Sequence, residues 1–186
     1  MIGNTHRLLI VWSIVAIHYC NSADVLISNN ANDLINYVTS HPTEAALRVK
    51  FADSIPPAKR TAILNDSFNQ LAKKTLTRQI IKLSLANNKL QQPPVLTGLS
   101  ALLWLDLSNN QLKTAPRLTD LSALQWLFLG NNKLTTAPDL AGLAALQELF
   151  LQESQLTTPL YIPAALKEQL QVYGYTNLIY ENSVNQ

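Results

Sequence analysis

From Ile80 onward, apolar and polar residues alternate over short stretches, and the alternation returns every 22 residues. IIKLSLANNKLQQPPVLTGLSA from Ile80, LLWLDLSNNQLKTAPRLTDLSA from Leu102 and LQWLFLGNNKLTTAPDLAGLAA from Leu124 align throughout, and LQELFLQESQLTT from Leu146 keeps the front half. Leu83, Leu105, Leu127 and Leu149 form one column, and Leu85, Leu107, Leu129 and Leu151 form the next. Each unit therefore opens with the period-two alternation of a strand that buries one face, which predicts one short strand per unit. Self-similarity at this period is the mark of a stack of equivalent coils, none of which buries its apolar face alone.

Asn88, Asn110 and Asn132 follow the strands at a fixed offset. An amide there can bond the backbone of the bending chain and of the neighbouring coil. Ser154 stands in that place in the fourth unit, a sign that the regular stack is ending. Pro94, Pro116 and Pro138 then recur, followed by Leu96, Leu118 and Leu140 and by Leu99, Leu121 and Leu143. Proline fixes φ and removes a donor, so the return path is expected to be irregular or a short 3₁₀ turn.

At these residues the chain resembles the leucine-rich-repeat family, and the period resembles its short-repeat class. The resemblance covers Ile80 to Leu156 and implies an α/β solenoid with a parallel sheet on its concave face. It also implies that the concave face binds a macromolecule, most often a protein and sometimes a glycan or lipid.

The flanks lack the repeat. Residues 23–78 are expected to be a helical cap, with Pro42 opening PTEAALRVKFA, Pro57 opening PAKRTAILNDSFNQLAKKT, and Ala31 to Thr39 a third candidate. Repeats fill 79–165. Beyond them, 166–186 is expected to hold a degenerate fifth strand at Gln169 to Tyr173 and a polar tail that frays from Glu181.

The start of the chain has a different build. Arg7 precedes the apolar run LLIVWSIVAI from Leu8 to Ile17. The run is shorter than the roughly 20 residues of a bilayer span and reads as a secretion signal cleaved after Ser22, leaving an exported chain with no stable membrane span. An uncleaved anchor and a lipidated Cys20 are the competing readings, and bulky His18 and Tyr19 argue against the second. Cleavage would remove Cys20, the only cysteine, and with it any disulfide or thiolate chemistry.

Charge is close to balanced, with 14 Lys and Arg against 12 Asp and Glu, which does not support nucleic acid as a partner. The distribution is uneven: Arg48, Lys50, Lys59, Arg60, Lys73, Lys74, Arg78, Lys82 and Lys89 face only Asp53 and Asp66 between positions 48 and 89. Basic runs on helices usually form a solvated face.

Outside the signal, His41 is the only histidine, and no phosphate-binding loop or metalloprotease helix motif occurs. No enzyme activity, cofactor or metal is expected. The informative residues lie between the buried leucines, where alternation turns them outward. One outward column reads Lys82, Trp104, Trp126, Glu148, the next Ser84, Asp106, Phe128, Phe150, and a third Ala86, Ser108, Gly130, Gln152. Trp104, Trp126, Phe128 and Phe150 are expected to form an exposed aromatic patch bordered by Asp106 and Glu148. These six are the candidate ligand-binding residues. A protein partner is the first expectation; glycan stacking, a purely structural surface role, and a patch covered by Tyr173, Tyr175 and Tyr180 are the alternatives.

Overall fold

The computed structural model describes residues 23–28, 30–41, 43 and 45–181, so the segment expected to be a secretion signal and the last five residues lie outside it. Four three-residue strands come from the repeats: β3 (Lys82–Ser84), β4 (Trp104–Asp106), β5 (Trp126–Phe128) and β6 (Glu148–Phe150). They pair in parallel with Leu83, Leu105, Leu127 and Leu149 in register, as the columns require. All four side chains are fully buried, and the leucines of the returning segments meet them from the opposite side of a thin core. No helix interrupts these prolyl returns.

The asparagine pair in each repeat divides two tasks. The first member, Asn87, Asn109 or Asn131, takes a positive φ of 54 to 61°, which asparagine tolerates better than most side chains. The second ties coils together. Asn110 Oδ1 accepts from the N–H groups of Asn88 and Leu90 at 3.1 and 2.9 Å, while its Nδ2 donates to the carbonyls of Leu85 and Leu107. Asn132 repeats the pattern one coil on. At the next position Ser154 is too short to continue it, and its buried Oγ has no partner.

Before the repeats the chain departs from expectation. It runs β1 (Ala23–Ile27), α1 (Asn32–Ser40), β2 (Ala46–Phe51) and α2 (Pro57–Lys73). The helices foreseen near Ala31 and from Pro57 are present, but the one expected from Pro42 is replaced by β2. Alternation decides it: Leu47, Val49 and Phe51 point into the core and Ala46, Arg48 and Lys50 point away, a period that no helix could bury on one side. Strands β1 and β2 extend the parallel sheet of β3. The region is thus two further coils of the solenoid, and its helices back the strands.

Sheet order is β1-β2-β3-β4-β5-β6-β8, with β8 (Gln171–Tyr173) inside the degenerate fifth strand read from the sequence. Register partners Ala23, Leu47, Leu83, Leu105, Leu127, Leu149 and Val172 give successive coils of 24, 36, 22, 22, 22 and 23 residues. A second parallel pair, β7 (Leu160–Ile162) with β9 (Leu178–Tyr180), joins the last two returns and had no signal in the repeat pattern.

Where the helix-backed coils meet the repeats, Arg60 of α2 is only 4% exposed. Its guanidinium donates to the carbonyls of Ile55 and Asn88 at 3.0 and 2.8 Å and lies over the Phe51 ring. The basic run on this flank is therefore not wholly a solvated face. Asn88 completes the joint, accepting from the Phe51 N–H and donating to the Val49 carbonyl.

Candidate functional site: the concave face

Parallel, in-register strands stack equivalent side chains about 4.8 Å apart, so each outward column becomes a row across the sheet. The longest row runs Asp24, Arg48, Ser84, Asp106, Phe128, Phe150, Tyr173. A second runs Ala46, Lys82, Trp104, Trp126, Glu148, Gln171.

The long row ends in a ladder of rings. Phe128 and Phe150 lie 4.4 Å apart at an interplanar angle of 7°, and Phe150 and Tyr173 lie 4.6 Å apart at 10°. Trp104 leans on Phe128 at 5.2 Å and 50°. Trp126, Phe128, Phe150, Tyr173 and Glu148 are all partly exposed. Burial raises the Glu148 carboxyl above the ordinary carboxylate range.

The six candidate residues thus lie together on one face, but two are not accessible. Trp104 is 5% exposed and Asp106 is fully buried. Asp106 is held by the Ser108 hydroxyl and N–H at 2.6 and 2.9 Å and by the Ser84 hydroxyl at 3.3 Å. Alternation fixes which way a side chain leaves the sheet, whereas accessibility depends on the bulk of its neighbours. In the middle of the face, with Trp126 beside Trp104 and Phe128 beside Asp106, that bulk is large.

Tyr173, expected as a cover, instead lengthens the ladder. Tyr175 bonds the Thr158 carbonyl at 2.6 Å and Tyr180 lies on β9, so neither lies across the rings.

The opposite end of the long row is charged, and the sequence reading missed it because the strands there were taken for a helix. Asp24 receives Lys50 Nζ at 2.8 Å and sits 3.4 Å from the Arg48 guanidinium. The Lys50 hydrogen bond, against a smaller opposing effect of burial and with help from both cationic charges, holds the Asp24 carboxyl below its usual range. Arg48, Lys50, Ser84, Asn87 and Asn88, with Phe51 and Ala86, line a cavity of about 310 Å³ beside this pair. The alternation in LRVKF was the available signal.

On the opposite, convex side, an apolar groove of about 920 Å³ opens between the Pro138–Leu140 return and β7 and β9. Away from both, His41 stacks on Tyr37 at the end of α1. Among the described residues, no group of three or more His, Cys, Asp or Glu could hold a metal ion, and no helix is long and apolar enough to cross a membrane.

No protein-family model matches the chain, and no curated protein sequence does. Solved structures that resemble it include the following two. The leucine-rich-repeat ectodomain of the receptor kinase SOBIR1 from Arabidopsis thaliana is 25% identical, with 57% of this chain and 61% of that one covered and a TM-score of 0.45. An internalin (inlF) from Listeria monocytogenes is 18% identical, with 87% of this chain and 48% of that one covered, also at a TM-score of 0.45. The chain therefore spans less than two thirds of either structure.

Proposed function

We propose that this chain is an exported, non-catalytic binding module of the short-repeat leucine-rich class, and that it recognises another protein through its concave face. The contact residues are Trp126, Phe128, Glu148 and Phe150, joined by Tyr173. Trp104, buried, leans on Phe128, and Asp106 is buried beside it against Ser84 and Ser108. The apolar run near the start of the chain supports export.

The observation that carries the reading is the ring ladder. Contiguous, partly exposed aromatic surface marks interaction sites, and large aromatic side chains supply much of the energy at protein interfaces. The ladder also favours a polypeptide over a sugar. A sugar ring binds an aromatic face, but Phe128, Phe150 and Tyr173 spend their inner faces on one another at 4.4 and 4.6 Å. What they offer along the row is ring edges, which suit aliphatic and aromatic side chains.

The test is comparative capture from cell-surface and secreted extracts, using the wild-type chain and the Phe128→Ala/Phe150→Ala variant, with a glycan panel titrated against tryptophan fluorescence. Proteins enriched by the wild type should fall by at least about ten-fold with the variant, the effect of losing two interface anchors. Retention of every partner by the variant refutes the concave-face reading, and a glycan that quenches fluorescence saturably replaces protein with carbohydrate.

A further inference from the structure

The basic end of the concave face has a part to play beside the rings. Arg48 and Lys50 emerge from the same strand two residues apart and together hold one carboxylate, that of Asp24. Their spacing is thus already suited to a carboxylate. Lys82 lies on the adjoining strand in register with Ala46, so a third cation stands on the same side of this end of the sheet without touching Asp24. The cavity of about 310 Å³ next to them has room for a second acidic group, and Ser84 and Asn87 add polar atoms to its lining. Asp106, the nearest other acid on the row, is fully buried against Ser84 and Ser108.

Resting on the concave-face reading, we infer that the ligand is an extended polypeptide with two unlike parts: apolar side chains against the Phe128–Phe150–Tyr173 ladder and a carboxylate at Arg48 and Lys50. Position along the row sets their separation. From β2 to β5 is three strand steps, about 14 Å. An extended chain covers that in about four residues. The acid therefore lies four to six residues from the apolar cluster, on the side facing β1. Charge fixes the direction in which the ligand crosses the sheet, because Glu148 at the aromatic end disfavours an acid there. Polar groups of this kind orient a ligand, and apolar groups hold it.

The carboxylate can belong to an Asp or Glu side chain or to a chain terminus, and the experiment separates these. Random peptides displayed with free C-termini, and a second library with a fixed polar extension, are selected against the full-length chain. The expected outcome is enrichment of sequences with an acid, or a free C-terminus, four to six residues from two or more apolar side chains. For the synthetic peptide so selected, Arg48→Gln/Lys50→Gln should weaken binding by about ten-fold or more, the usual effect of removing charge-assisted hydrogen bonds. Asp24→Asn acts in the opposite direction: it removes the internal carboxylate that competes for Arg48 and Lys50 and should tighten binding. This arm keeps the inference falsifiable even if the double variant folds poorly. Amidating the terminus or changing the acid to its amide then identifies the source of the carboxylate. Selection of apolar peptides with no acidic preference, and equal affinity for wild type and Asp24→Asn, overturns the two-part ligand while leaving concave-face binding intact. Selected peptides that bind Phe128→Ala/Phe150→Ala undiminished overturn the concave-face reading, and this inference with it.

Discussion

The two coils that begin the solenoid and the coils that follow share one sheet and differ in what lies behind it. In the first two, α1 and α2 back the strands and the coils take 24 and 36 residues. In the next three, proline-led extended returns do the same work in 22 residues each. A helix advances only about 1.5 Å per residue, so covering the same core with α2 consumes more chain than an extended return does. The lesson is that the strand side of each coil is tightly specified by register, while any back will serve that delivers apolar side chains to the strand leucines. Freed of a fixed length, the helix-backed coils could not show the period that reveals the others. Along the longest outward row they also differ: Asp24 and Arg48 in the first two coils are charged, and Phe128, Phe150 and Tyr173 in the last three are aromatic.

The joint between these regions is the place to break the comparison. Arg60 Nε and Nη1 satisfy two carbonyls, one in each region, and its guanidinium covers Phe51. Arg60→Ala should cost about 3 kcal/mol in urea unfolding, since two buried acceptors lose a charged donor at once. A loss below about 1 kcal/mol would mean that the helix-backed coils do not depend on this tie. Within the proline-backed coils the amide ladder is the comparable device. Asn110→Ala leaves the N–H groups of Asn88 and Leu90 and the carbonyls of Leu85 and Leu107 without their side-chain partner. About 1 to 3 kcal/mol should be lost, measured the same way, and unchanged stability would remove the amide ladder from the account of the fold.

Legibility follows the same division. The parallel sheet, its register and its concave aromatic columns could be read from Leu83, Leu105, Leu127 and Leu149, because a repeated column reports a contact made several times over. Strand β2 could not, since Pro-Thr-Glu-Ala ahead of it imitates a helix start and the alternation of Leu47, Val49 and Phe51 occurs once. Of the site, Trp126, Phe128, Glu148 and Phe150 are partly exposed as expected. Trp104 and Asp106 are not, because the alternation that placed them on the face carries no information about which neighbours would close over them. Arg48 and Lys50 count toward the basic flank in the sequence but are not placed on the face by it, for the same reason as β2, and Tyr173 reads there as a cover because its coil has lost the repeat.

A smaller effect sharpens the picture of where the regular coils stop. Ser154 leaves its hydroxyl buried and unpartnered where each of the three preceding repeats has an amide. Ser154→Asn would place donors toward the carbonyls of Leu129 and Leu151 and an acceptor toward the N–H groups of Asn132 and Leu134, following the arrangement of Asn110. A gain of about 1 kcal/mol in thermal or urea unfolding is expected, the net value of a satisfied buried hydrogen-bonding group. Destabilisation instead would mean that the last coils have already diverged too far for the ladder to continue.

The smallest effect sets the two ends of the concave face against each other by pH. Asp24, in the helix-backed region, has its carboxyl lowered by the Lys50 hydrogen bond, so folding favours the charged form. Its contribution is present above the ordinary aspartate range and is lost as pH falls through the lowered folded value. Glu148, in the proline-backed region, is raised by burial, so folding favours the neutral form. Its penalty is absent at acid pH and grows as pH rises from the ordinary glutamate range through the raised folded value. Asp24→Asn should therefore lower stability at neutral pH, with a cost that shrinks as pH falls below the ordinary carboxylate range and through the lowered folded value. Glu148→Gln should raise stability at neutral pH by less than about 1 kcal/mol, a small figure because the group is partly exposed, and change little in acid. The difference between each variant and the wild type, followed by urea unfolding across pH, must carry opposite signs at neutral pH and converge toward zero in acid. Equal signs at neutral pH would mean that the charged and aromatic ends do not place their carboxylates in opposite environments.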